Sequence, residues 1–294
     1  MSAVVNAVRQ RRRGLASPLH TVAVLVRRNP TAAIGACVLV GWVLVAITVP
    51  LWLHVDPLAQ NIGDRLAAPS QAHAFGTDLL GRDILARVLW GSRLTLPTAL
   101  VVIAAALVVG GTYGMVAGYA GGWVDEGLMR FADITLAFPS IILAMAIAAA
   151  LGPSLTNAML AMTAVWWPEF ARVMRGQVLA VKEYPHVEAA RVLGASHWRI
   201  ITRHILPETF SPLVVKSTLD FGNVILLAAG LSFLGLGSVP PAPEWGAMVS
   251  DARSAFDQWW MGTFPALAIV SMVLSGNFLG DGLRDWLDPR MSKP

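Results

Sequence analysis

The sequence predicts an all-α membrane protein with six transmembrane helices. Three observations predict it. The 294 residues are 55% hydrophobic and only 14% charged, where a soluble domain carries about a quarter charged residues. The apolar residues gather into long runs, several without a single charge. The positive charges gather in the short segments between those runs, a distribution that reports membrane orientation rather than a nucleic-acid ligand.

The first run, 31–52, has no charge. At about 1.5 Å per helical residue it covers about 33 Å, enough for a hydrocarbon core of about 30 Å. The arginines before it (Arg9, Arg11, Arg12, Arg13, Arg27 and Arg28) suggest the n-region of a signal peptide. The run exceeds a signal core in length and lacks a clear small-x-small cleavage site, so it reads as a retained span. Further spans are expected at 94–118, 134–151, 155–173, 213–236 and 264–279. The fourth is interrupted by Pro168, Glu169 and Arg172, and the fifth carries Lys216 and Asp220 near its start.

The charges orient these spans. Residues 1–30 form a basic segment inside, 53–93 lie outside, and 94–285 make a five-helix core that includes an interior loop at 174–210. Residues 286–294 form an interior tail. The interior loop carries Arg175, Lys182, Arg191, Arg199 and Arg203. Arg82, Arg87 and Arg93 run against the pattern, because they fall outside among four acids.

Within the second span, Gly110, Gly114, Gly118 and Gly122 recur every four residues. Such a stripe lets a neighbouring helix approach closely. It reads either as bundle packing or as a pore-lining helix that shifts against its neighbour. Glu169 with Arg172, and Lys216 with Asp220, sit at spacings that allow each pair to close on itself. Trp166, Trp167, Trp259 and Trp260 read as interface anchors.

The interior loop reads as two short helices, 181–193 and 196–206, with Gly194 as a stop, Ser196 as an N-cap and Pro207 barring continuation. Trp198, Ile201, Ile205 and Leu206 fall at helical spacing as one apolar side. The single cysteine, Cys37, excludes an intramolecular disulfide. His186, His197 and His204 lack metal-site spacing, so no metal is expected. No catalytic triad or nucleophile elbow is present. The only lysines are Lys182, Lys216 and Lys293, none after a glycine, so the chain has no phosphate-binding P-loop.

Glu188-Ala189-Ala190 followed by Gly194 and Leu206-Pro207 resembles the EAA loop of bacterial ABC-importer permeases. Arg203-His204-Ile205-Leu206-Pro207 resembles the dipeptide/oligopeptide/nickel branch. His204 replaces an isoleucine of the general pattern, and Glu208 stands where that branch often has asparagine. Phe75-Gly76-Thr77-Asp78 with Gly81-Arg82-Asp83, Ala117-Gly118-Tyr119 with Asp125, Leu231 to Gly237 with Trp245-Gly246, and Gly280-Asp281-Gly282 with Asp288-Pro289-Arg290 are similar to the second, C-type permease of peptide systems.

The resemblance implies a type I importer permease fold with a cytoplasmic coupling helix-loop-helix, in a bacterial cytoplasmic membrane, with both termini inside. It implies a non-catalytic subunit that forms half of a pathway for di- or oligopeptides. Its partners would be a second permease, two ATP-binding cassette ATPases that hold the ATP and Mg, an extracytoplasmic substrate-binding protein and membrane lipid. The chain itself would hold no cofactor. The residues implied in ATPase coupling are Glu188, Ala189, Ala190, Gly194, His204, Leu206 and Pro207. Glu188 reads equally as a charge anchor for the partner and as a brace for its own loop. The substrate-contacting residues stay unassigned. Nickel chelates, glutathione or another small solute are alternative cargoes. A stand-alone secondary transporter or membrane enzyme would leave the Glu-Ala-Ala loop without a role.

Overall fold

The computed structural model describes residues 29–287. The basic segment before Asn29, and Asp288-Pro289-Arg290 with Lys293, lie outside the described residues. Ten α-helices and no strand occur among them: α1 Pro30–Trp52, α2 Ile84–Ala120, α3 Gly122–Leu136, α4 Ser140–Leu151, α5 Leu155–Val181, α6 Pro185–Val192, α7 His197–Ile200, α8 Leu206–Phe233, α9 Trp245–Asp251 and α10 Trp259–Leu287.

Local chemistry explains the boundaries. Pro30 opens α1, where its missing N–H costs nothing. The α2 helix starts at Ile84, ten residues before the uncharged run, because the Asp83 carboxylate accepts from the Ala86 N–H at 2.8 Å. The expected third span is broken. α3 and α4 meet at an angle of 87°, since Pro139 brings no N–H and bars Phe138 from continuing the helix. The interior loop is also shorter than 174–210. α5 runs on to Val181, and residues 197–233 form one continuous helical run. Pro207 therefore does not stop a helix. It sits in the first turn of α8, after a π-helical turn at Ile201–Ile205.

α1, α2, the run 197–233 and α10 are each long and apolar enough to cross a membrane, and the bent α3–α4 pair makes a fifth candidate. α5, with 27 residues, has the length for a crossing. Its Glu169, Arg172 and Arg175 set it apart in composition.

The largest interface joins α2 to α5. A Cβ on Gly110 would lie 2.2 Å from the Trp167 carbonyl oxygen, and one on Gly114 would lie 2.1 Å from that of Ala171. One on Gly118 would meet the Val178 Cβ at 2.9 Å. Three glycines of the stripe thus face α5 in ascending register, so the two helices run parallel. Gly122 differs. It lies at the break between α2 and α3 with nothing within 4 Å. The core built on this contact holds Val102, Ala106, Met162, Phe170, Val178 and Ile225, all nearly inaccessible. α10 packs antiparallel to α8 and α1, with Gly222 against Val273, Gly280 against Leu219 and Gly35 against the Ser275 carbonyl oxygen.

These directions define two ends. One gathers residues 53–83, the start of α2, α9 and the start of α10. The other gathers the ends of α2, α5 and α10 with α6 and α7.

We expect Gly114→Val to lower the thermal unfolding midpoint, with an overpacking cost of about 1–3 kcal/mol. Gly111→Ala, where an added Cβ meets nothing within 4 Å, should leave the midpoint level or raise it. Unfolding of the detergent-solubilised protein, followed by tryptophan fluorescence, checks both.

Candidate coupling surface

The end that carries α6 and α7 presents a rigidly held hairpin. At its start, the Lys182 ammonium donates to the Gly118 carbonyl oxygen at 3.2 Å, tying the hairpin to α2. Inside α6, the side chain of Val187 is fully buried, and Ile200 and Ile205 anchor the returning strand of the hairpin in the same core. The turn between α6 and α7 uses Gly194 at φ +77°, a left-handed conformation that a side chain disfavours. Its N–H donates to the Arg191 carbonyl at 3.1 Å, and that of Ala195 donates to Ala190 at 3.0 Å. Ser196 caps α7 by accepting from the Arg199 N–H at 3.4 Å.

Two side-chain contacts brace the hairpin against the bundle. His197 Nδ1 lies 2.7 Å from the Tyr119 hydroxyl at the end of α2. His186 Nε2 lies 3.1 Å from Glu208 Oε1 at the start of α8, with the His204 ring 6.0 Å from that of His186. Glu208, the departure from the branch pattern, thus meets a histidine of its own chain.

The outer crest of the hairpin is apolar and open. Val192, Leu193 and Trp198 are 82%, 87% and 75% exposed. Glu188 and Ala189 are exposed beside them and Ala190 is half-buried. Among the described residues, the Glu188 carboxylate has no ion-pair or hydrogen-bond partner, and its place in the first turn of α6 suits the helix dipole. The apolar side expected from Trp198, Ile201, Ile205 and Leu206 is divided: Ile205 faces the core and Trp198 faces out, because the π-helical turn rotates the register between them. Leu206 and Pro207 lie exposed in the first turn of α8. Periodicity alone gave no sign that Val192 and Leu193 would be exposed, although an apolar pair directly before a helix-stopping glycine is a usable signal.

The opposite end is locked by buried charge. Asp78, Arg82 and Arg87 are 4%, 5% and 2% exposed. The Asp78 carboxylate accepts from Arg82 Nε at 2.6 Å and from Arg87 Nη1 at 2.5 Å, with Asp251 of α9 3.6 and 3.8 Å from the same guanidinium groups. Two of the arginines that ran against the charge pattern are therefore neutralised in place. Burial raises the Asp251 carboxyl above its ordinary range, opposed by Arg87 and Arg82. Burial also raises Glu244, opposed by the Gly246 and Ala247 amides, which donate to it at 2.9 Å and cap α9. Trp245 is wholly buried and donates to the Val88 carbonyl at 2.8 Å. Trp260 donates to that of Thr77 at 3.2 Å, so it is a core residue rather than an interface anchor. Trp259 remains 58% exposed.

The expected Glu169–Arg172 pair does not form. Glu169 bonds Lys216 of α8 at 2.7 Å, and Arg172 bonds Asp133 of α3 at 2.7 Å. Partners on neighbouring helices outcompete the one on the same helix. Lys216 and Asp220 do pair, at 2.8 Å.

Residues 110–293 match the profile of the binding-protein-dependent transport system inner membrane component. The chain belongs to this family. It is 44% identical to the dipeptide transport system permease protein DppC of Alkalihalophilus pseudofirmus, over 94% of this chain and 91% of that one. It is 44% identical to the glutathione transport system permease protein GsiD of Pectobacterium atrosepticum, over 85% of each. Its fold is similar to a chain of the inward-facing MetNI methionine ABC transporter, with a TM-score of 0.57, 20% identity, and 70% of this chain and 98% of that chain covered.

This permease is accordingly a non-catalytic inner-membrane subunit of a binding-protein-dependent transport system. Its buried charge network and the neighbouring His73 cluster make two predictions. Asp78→Asn leaves two buried guanidinium groups facing one distant carboxylate, and breaking such a pair costs about 3–5 kcal/mol. A lower unfolding midpoint in detergent checks this. His73 lies 2.9 Å from Asp83 and 3.6 Å from Asp64. The hydrogen bond to Asp83 raises its pKa above 6.5, opposed by desolvation. A raised folded pKa contributes stability that is present below about pH 6.5 and is lost as pH rises through the folded value. His73→Gln should therefore lower the midpoint more at about pH 5 than at about pH 9, in paired melts with the parent chain.

Proposed function

We propose that this permease crosses the membrane six times, with α3–α4 as one bent crossing and α5 as another, and with both termini on the cytoplasmic side. It forms half of the translocation pathway of an ATP-driven importer. A second permease supplies the other half, two ATPases that hold ATP and Mg dock inside, and a substrate-binding protein docks outside. The basic residues Lys182, Arg191, Arg199 and Arg203 around the hairpin support the cytoplasmic placement.

The observation that carries the coupling role is the open apolar crest of Val192, Leu193 and Trp198 beside the unpartnered Glu188. Exposed apolar residues grouped on a rigid element mark a docking surface. Glu188, Ala189 and Ala190 meet the ATPase, with Glu188 as the charge anchor and the alanines allowing close approach. Gly194 sets the angle of the hairpin. His204, Leu206 and Pro207 carry the displacement into α8 through the π-helical turn, while Lys182 carries it into α2 and α5. Closure of the ATPases on ATP then swings the bundle from inward-facing to outward-facing.

The cargo class is a di- or oligopeptide, as the name of the DppC relative suggests. Glutathione, itself a small peptide, is the second reading, suggested by GsiD. The ligand found in the binding protein that co-purifies with the complex decides between them.

Gly194→Pro, which cannot adopt a positive φ, and Glu188→Lys, which reverses the anchor charge, should each reduce ATP-dependent uptake at least tenfold. Membrane fractionation should still find the complex in the membrane. Normal uptake by both variants would refute the coupling role. Activity of the chain without any co-purifying ATPase would refute the importer reading itself.

A further inference from the structure

Charge in the middle of a crossing helix is costly and calls for a function. Glu169 lies at the middle of α5, about 21 Å from its start and about 18 Å from its end at about 1.5 Å per residue, and Arg172 lies one turn nearer the end. Their side chains are 48% and 57% exposed, whereas Lys216 beside them is 17% exposed. Lys216 bridges Glu169 and Asp220, and Asp133 bonds Arg172. A cavity of about 270 Å³ opens between them, lined by Leu136, Glu169, Arg172, Val173 and Lys216. Two further hollows adjoin it. One of about 460 Å³ shares Arg172 and continues to Arg175 and Asp125. Another of about 490 Å³ shares Val173 and Lys216 and reaches Arg284 at the end of α10. The three run from the middle of α5 toward the coupling end, with charged side chains set among largely apolar walls in the first and third. Exposed charges of both signs that line a hollow suit water and solute, and hydrocarbon does not.

We propose that the Glu169–Arg172–Lys216 hollow is a solute-binding station in the translocation pathway, holding a zwitterionic dipeptide by its two ends. Glu169 takes the ammonium and Arg172 takes the carboxylate, its planar fork matching two oxygens at once. The spacing fits. Cβ atoms one helical turn apart lie about 5–6 Å from each other, and an extended dipeptide spans about 7 Å. Lys216, itself held by Asp220, positions Glu169. Asp133 satisfies Arg172 until cargo arrives, so the empty station carries no orphaned charge. This inference rests on the peptide reading above.

The test is equilibrium binding of radiolabelled dialanine to the intact complex in nanodiscs without the binding protein, with unlabelled dialanine, its C-terminal amide and its N-acetyl derivative as competitors. Saturable binding is expected, with each blocked derivative competing at least tenfold less well than dialanine. Arg172→Gln should abolish the discrimination against the amide alone, and Glu169→Gln that against the N-acetyl derivative alone. Arg172→Lys should restore part of the former. An equal loss against all three competitors in both variants would mark a structural or subunit-interface role and overturn the proposal. So would a parent complex that imports dialanine with ATP and its binding protein yet shows no saturable binding. A parent complex that imports no peptide at all overturns the peptide reading together with the station.

Discussion

The contact of α2 with α5 at Gly110, Gly114 and Gly118 is the constraint on which the remaining structure depends. Two backbones touch there, with a missing Cβ the only reason they can. In a membrane, lipid tails are as apolar as the side chains, so the drive for helices to associate comes from close packing rather than from water. Once α2 and α5 lie parallel at this distance, their far ends must emerge together. The end of α2 then supplies the Gly118 carbonyl to Lys182 and the Tyr119 hydroxyl to His197. The hairpin is thereby seated on the same contact that forms the core.

The two ends of the molecule solve opposite problems. The end that gathers residues 53–83 is closed by a buried charge network and two tryptophan N–H donors, which tie those residues, α9 and α10 to the start of α2. The other end keeps Val192, Leu193 and Trp198 in the open while Val187, Ile200 and Ile205 hold the element rigid from below. The π-helical turn at Ile201–Ile205 joins the hairpin to α8 without a flexible linker, so Trp198 of the crest and Lys216 with its ion pairs lie on one continuous helical run.

Much of this was legible in the sequence. The apolar runs located α1, α2, α8 and α10, because a helix facing lipid on one side and helices on the other needs no polar face. The glycine spacing located the α2 packing stripe, apart from Gly122, whose role is at a helix break. Gly194 and Ser196 marked the hairpin turn, since both act through their own backbone neighbours. The family motifs fell on the α6–α7 hairpin, an element the structure shows with an exposed crest. Local reading failed where partners are distant in sequence. Glu169 and Arg172 looked like a pair because only spacing within one helix is visible there, whereas Lys216 and Asp133 are 47 and 39 residues away. Arg82 and Arg87 looked like misplaced positive charge because their neutralisation includes Asp251, far along the chain.

The sequence by itself determined that this is a helical membrane subunit, roughly where its long apolar helices lie, and to which transport family it is similar. These follow from composition, hydropathy, capping and short motifs, all of them interactions among near neighbours. The tertiary structure alone decided which face of each helix meets another, which charges neutralise one another, and that the helix expected as a third span breaks by 87°. It also decided that the hairpin crest stays open while its root is buried. Those outcomes rest on contacts between helices, and a contact between helices is settled by the geometry of the whole bundle.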